Sequence, residues 1–158
     1  RCEIIRVESA EQMLEASLQN INQCDIFIAS AAVADYRPVS IAEHKMKKGN
    51  EEIMELHLVK NPDIVATVAG LERKPFTVGF AAETQDVVTY AQGKLIRKNL
   101  DLIIANDVSR SDIGFNSDDN AVTVVSRNHV EPLPLSSKRQ LAGQLISMIA
   151  GQYETAQE

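Results

Sequence analysis

Glycine is scarce in this chain, with 7 among 158 residues, and none stands in a G-x-G-x-x-G turn or a P-loop. Both phosphate cradles need glycine where the backbone passes the ligand, so a dehydrogenase-like Rossmann fingerprint and a Walker-type site are excluded. Cysteine is also scarce. Cys2 and Cys24 have no metal-ligand spacing, and His44, His57 and His129 are scattered, so neither a metal site nor a disulfide framework is expected. No Ser/His/Asp or Cys/His set can be assembled. No apolar run approaches the roughly 20 residues of a membrane span, and the first residues lack the basic-then-apolar order of a secretory leader. An excess of positive charge is missing too. The formal net charge is -6, which argues against a nucleic-acid or membrane-surface partner. These absences predict a cytoplasmic protein in a reducing compartment.

What is present is an ordinary globular composition, 44% hydrophobic and 24% charged. The length suits a single domain over residues 1–158, without repeats or linkers. The pattern alternates strands and helices. Ile4–Val7 reads as a short strand. Ser9 opens a Ser-x-x-Gln cap, and Met13, Leu14, Leu18 and Ile21 follow at helical spacing. Asp25–Ala31 is nearly all apolar, as for a strand buried on both faces. Met54, Leu56 and Leu58 alternate with polar residues, predicting a half-wet strand near an edge. Asn61-Pro62-Asp63 reads as a helix start with Asn61 as cap, and the helix stops near Gly70.

Phe76–Ala81 is a further strand, Gln85 to about Asn99 a helix, and Leu102–Ala105 a buried strand. Residues 109–120 read as a polar loop. Ala121–Val125 and Val130–Leu135 suggest a hairpin around Arg127-Asn128-His129. Ser136 or Ser137 caps a last helix, whose tail from Gln152 is expected to fray. The predicted architecture is a doubly wound α/β fold, a Rossmann-like three-layer sheet, mostly parallel, with a small antiparallel hairpin. Ligands of such sheets bind beyond the carboxyl ends of the strands, here after Ala31, Phe80 and Ala105.

Chemistry concentrates between Asp25 and Lys48. Small residues, Ala29-Ser30-Ala31 and Ala32-Val33-Ala34, let a ligand approach the backbone, and Asp35 waits beside them. Lys45-Met46-Lys47-Lys48 then forms either a solvated loop or a cationic flap that closes over a ligand. Asp35 either caps backbone amides or accepts from a sugar hydroxyl or an exocyclic amine. Asn61-Pro62-Asp63-Ile64 forms chiefly a helix start, whose free amides are also able to meet an anion or a base edge. Phe80 ends a buried strand, as a core residue or a stacking platform. Lys94, Arg97 and Lys98 share a helical face, as a solvated helix end or a triphosphate site.

Taken together these segments closely resemble the synthetase domain of bacterial phosphopantothenoylcysteine synthetase, the CTP-using ligase of coenzyme A biosynthesis. The likeness is carried by 31–38 (AAVADYRP), 45–48 (KMKK), 58–64 (LVKNPDI), 78–84 (VGFAAET), 94–101 (KLIRKNLD), 105–108 (ANDV) and 114–118 (GFNSD), in the family's order along nearly the whole chain. It implies an enzyme that joins 4'-phosphopantothenate to cysteine. The substrate carboxylate attacks the α-phosphorus of CTP, pyrophosphate leaves, and the cysteine amine then displaces CMP from the acyl-cytidylate. By the same resemblance Lys45 assists the chemistry from the flap, and Ala29, Ser30, Ala31 and Asp35 lie against the cytidine. Pro62, Asp63, Ile64, Val65 and Phe80 complete the nucleotide pocket. Lys94 and Lys98 face the triphosphate, and Mg2+ accompanies CTP without dedicated protein ligands.

The family is dimeric, and its bacterial members usually carry a flavin-dependent decarboxylase upstream. FMN therefore belongs to a fused domain outside these residues, and a higher oligomer is expected only through that fusion. The family's domain opens with a strand, a Gly-rich turn and an asparagine that holds the acyl-cytidylate. None of these is present here. The expectation is thus a domain incomplete at its amino terminus, binding CTP weakly and inactive alone. Its competitor is a non-catalytic CTP-binding module.

Overall fold

A computed structural model of the chain describes residues 2–42, 44, 53–109 and 118–157. In chain order the elements are α1 (Ala10–Asn20), β1 (Ile26–Ala29), β2 (Tyr36–Pro38), β3 (Leu58–Lys60), α2 (Ile64–Ala69), β4 (Phe76–Glu83), α3 (Val87–Arg97), β5 (Leu102–Asp107), β6 (Asp119–Val125), β7 (Val130–Ser137) and α4 (Lys138–Gln157). The larger sheet has the order β1-β4-β5-β6-β7. Its first three strands are parallel, and β6 and β7 extend it as an antiparallel hairpin. β2 and β3 pair separately as a two-stranded antiparallel ribbon.

Alternation along β5 explains the three layers. Ile103 and Ala105 pack with Ala91 and Leu95 of α3 and Ala69 of α2, whereas Leu102 and Ile104 pack with Leu141, Leu145 and Ile149 of α4. Side chains of a strand point to opposite faces in turn, so a strand with helices on both faces must be apolar throughout. Gly79 is required at one crossing. A Cβ built there would meet Leu100 Cδ1 at 2.8 Å, so β4 passes this buried leucine only without a side chain.

The caps follow from local chemistry. Ser9 Oγ accepts from the Gln12 amide at 3.2 Å, and Gln12 Oε1 accepts from the Ser9 amide at 3.2 Å, the reciprocal capping box that the sequence predicts. Ser137 Oγ accepts from the Gln140 amide, so Ser137 is the cap of α4. Asn99 takes a left-handed conformation after α3, which a short amide side chain tolerates. Its side chain binds Ala69 O, and its own carbonyl accepts from Lys74.

Several expectations are corrected. Ile4–Val7 is not a strand, and Ile4 is 76% exposed; the free edge of β1 gains no ladder from it. β1 is shorter than 25–31 and only part-buried, because it is an edge strand among the described residues. The alternating stretch at 54–58 is exposed, and its ladder is confined to Leu58–Lys60, since the partner strand β2 offers only Tyr36–Pro38. The helix cap is Asp63 rather than Asn61: Asp63 Oδ1 accepts from the Ala66 amide at 3.1 Å. α3 begins at Val87 rather than Gln85, after a left-handed Asp86. The final helix does not fray at Gln152. It continues to Gln157, with Tyr153 edge-on to Phe76.

Candidate functional site

β1 ends at Ala29, and residues 30–35 run on without regular structure before the ribbon. This stretch is fastened by one residue. Asn61 Nδ2 donates to Ala34 O at 2.8 Å, the Asn61 amide donates to Asp35 O at 2.8 Å, and Asn61 Oδ1 accepts from Arg37 Nη1 at 3.1 Å. Arg37 also donates to Lys60 O and ion-pairs with Glu11 of α1. The asparagine freed from helix capping is therefore the clamp between the ribbon base and the loop.

The clamped loop forms one wall of a cavity of about 530 Å³. Ala29, Ser30, Ala31 and Asp35 line that wall. Pro62, Asp63, Ile64 and Val65 line a second, at the start of α2. Phe80 and Ala82 come from the carboxyl end of β4, Lys94 from α3 and Lys98 from the cap that ends it. The other candidate residues named from the sequence border this one space, except Arg97, which is exposed on α3 and does not line it, and Lys45, which lies outside the described residues along with the rest of the lysine run. Phe80 is 44% exposed and so is no core residue.

Both lysines are engaged. Lys94 Nζ lies 2.6 Å from Glu83 Oε1, and Lys98 Nζ lies 2.8 Å from Asp63 Oδ2. Partial burial pushes the Asp63 carboxyl up, but the Lys98 ammonium, the Ala66 amide and the charge of Lys60 outweigh it and hold the group below the usual carboxylate range. Glu83 Oε1 is buried and makes no aligned hydrogen bond, so its short contact with Lys94 is a charge pair. Asn106, opposite Ala82 in the register of β4 and β5, has a buried Oδ1 without a hydrogen-bond partner among the described residues. Away from the cavity, Cys24 donates to Ile26 O; burial, reinforced by the Asp25 charge, raises its pKa despite that bond, so it is a poor nucleophile.

Sequence reasoning missed several contributors, Met13, Ser17 and the clamping role of Asn61 among them. Met13 and Ser17 of α1 reach the cavity but read only as helix pattern. Asn61 was read as a cap.

Residues 1–153 match the protein family described as the DNA/pantothenate metabolism flavoprotein C-terminal domain. The chain belongs to that family. Among similar members, the coenzyme A biosynthesis bifunctional protein CoaBC of Vibrio cholerae is 54% identical over 147 residues, covering 92% of this chain and 37% of that protein. The Escherichia coli protein of the same name is 46% identical over 155 residues, covering 95% of this chain and 38% of that one. This member thus spans little more than a third of the length of those relatives. The crystal structure of a C-terminal domain of CoaBC superposes with a TM-score of 0.75 at 33% identity, covering 98% of this chain and 66% of that one. The DNA/pantothenate metabolism flavoprotein from Streptococcus pneumoniae, with a TM-score of 0.76 at 24% identity, shares the fold.

Proposed function

We propose that the chain is the larger part of a ligase domain that makes 4'-phosphopantothenoylcysteine from 4'-phosphopantothenate, cysteine and CTP in the cytoplasm. The observation that supports this most is the convergence, in a member of this family, of the strand-end loop, Phe80 and two lysines on one cavity. In this reading the cytidine rests between residues 29–31 with Asp35, residues 62–65 and the ring of Phe80. Lys94 and Lys98 serve the triphosphate.

The reaction proceeds in two displacements. A carboxylate oxygen of 4'-phosphopantothenate bonds to the α-phosphorus as the bond to the bridging oxygen breaks and pyrophosphate leaves. The cysteine nitrogen, having lost a proton, bonds to the acyl carbon, and CMP departs with its oxygen. Activation is needed because a free carboxylate is a poor acyl donor. Lys45 is assigned to stabilise charge on the phosphoryl oxygens as it develops. Among the described residues no three His, Cys, Asp or Glu side chains gather to hold a metal. Mg2+ is accordingly assigned to the triphosphate oxygens, where it would offset their charge.

The β2–β3 ribbon and its neighbours expose Tyr36, Val39, Ile41, Met54 and Leu56. An apolar surface of this kind suits a second copy of the chain, and we assign the ribbon to a homodimer. We treat residues 1–158 as one domain, and any FMN as belonging to a fused decarboxylase.

The test is calorimetric titration of CTP, then ATP, into this chain and into a version carrying the amino-terminal segment of a CoaBC relative, with pyrophosphate release followed in the latter. Binding in both and turnover only in the extended version is expected, with Lys45→Gln abolishing turnover while CTP still binds. Turnover that survives Lys45→Gln would overturn the assignment of Lys45. Turnover absent from the extended protein, with CTP still bound, favours the non-catalytic module.

A further inference from the structure

The two lysines assigned above to a triphosphate already hold anions of the protein's own. Among the described residues, the charged side chains lining the cavity are Asp35, Asp63, Lys94 and Lys98, and Glu83 stands behind Lys94. Carboxylates therefore outnumber ammonium groups. Whatever draws the ligand in, an anion that enters this part of the cavity must take the two lysines from their present partners.

The two pairs are built for such an exchange. Glu83 meets Lys94 through one oxygen, Oε1, at 2.6 Å, so the exchange on that side breaks a single ion-pair contact. Asp63 is anchored independently through Oδ1 to the Ala66 amide, so its carboxylate stays in place when Lys98 leaves Oδ2. Lys94 and Lys98 are one turn apart along α3 and its cap, with Cβ atoms about 6 Å from each other. A single phosphate replaces one internal anion, whereas a chain of phosphates replaces both.

We propose that Glu83 and Asp63 are resident stand-in anions, exchanged for the phosphate oxygens of an incoming polyphosphate, which lower its affinity and favour it over a single phosphate. After cleavage of the polyphosphate the carboxylates recapture the lysines and so assist release of the fragments. The inference rests on the nucleotide reading of the cavity.

The test titrates inorganic tripolyphosphate, orthophosphate, cytidine and CTP separately into the chain and into Asp63→Asn and Glu83→Gln, at low and moderate salt. Asparagine retains the capping oxygen and glutamine the shape of Glu83, and thermal unfolding checks each variant. Each substitution should tighten tripolyphosphate binding roughly three- to fivefold, the scale of one partly exposed ion pair, and steepen its salt dependence. Orthophosphate should gain less, and cytidine should be unchanged in Glu83→Gln, whose side chain lies outside the nucleoside seat. Unchanged or weaker tripolyphosphate binding in folded variants, with cytidine or CTP still bound, would overturn the exchange alone. Folded proteins that bind none of the probes would refute the nucleotide reading, and the exchange with it.

Discussion

Replacing Gly79 with alanine tests whether the close passage of β4 over Leu100 shapes the floor of the cavity. The added Cβ would stand 2.8 Å from Leu100 Cδ1, well inside van der Waals contact, and 3.9 Å from Ile103 Cγ1. Leu100 is 1% exposed and packed within the cluster of Leu95, Ile103 and Val125, so it has no open space to move into. Overpacking of this kind costs about 1–3 kcal/mol. At this chain length that corresponds to a fall in Tm of roughly 2–4 °C per kcal/mol. Leu100→Ala alone leaves a cavity and should cost about 2–5 kcal/mol. In the double variant the new methyl enters space vacated by the leucine, so the combined loss should fall short of the sum by about 1 kcal/mol or more. Urea unfolding of the four proteins, followed by circular dichroism, measures the cycle. The strand also pairs Gly79 with Ala29 and precedes Phe80, so Gly79→Ala should weaken nucleoside binding as well. Additive losses, or a Gly79→Ala protein as stable as the parent, would refute the steric reasoning.

Three further outcomes follow from the caps and the clamp. Ser9→Ala removes one half of the capping box and should lower stability by about 1 kcal/mol in urea titrations. An unchanged midpoint would mean that α1 is held by packing alone. Asp63 titrates lower folded than unfolded, so between those two values the unfolded chain binds more protons and stability rises with pH. Its contribution is complete above the ordinary Asp value of about 3.9 and is lost as pH falls through the lower folded value. Asp63→Asn should therefore flatten the acid limb of urea midpoints measured from pH 5 to pH 2.5, and an unaltered limb would count against the Lys98 pairing. Asn61→Ala removes the bond to Ala34 and the acceptor for Arg37, costing about 1–3 kcal/mol. CTP affinity should fall several-fold in the folded variant, and full affinity would show that the loop holds its shape without the clamp.

The legible parts of the fold were those written in local terms. The box at Ser9 and the apolar run Leu102–Ala105 carry their structure in residue spacing, and each forms where expected. The failures share a cause. Ile4–Val7 and the 54–58 stretch have strand-like side chains, yet a strand exists only where a neighbour offers its hydrogen bonds, and spacing does not reveal the neighbour. Asn61 shows the same limit at the site. Asparagine before proline is a good cap in isolation, but here Asp63 takes that role and Asn61 turns to a loop more than twenty residues upstream.

The sequence by itself determined the class of fold and the family, and it named many of the residues that border the cavity, because motif order and alternation survive without coordinates. Tertiary structure alone decided that these residues share one space, that Asn61 and Arg37 hold the loop, and that Lys94 and Lys98 are already paired with Glu83 and Asp63. The physical reason is range. Capping and periodicity act within a turn or two of chain, whereas an ion pair or a cavity wall depends on which distant segments the packed sheet brings within a few ångströms.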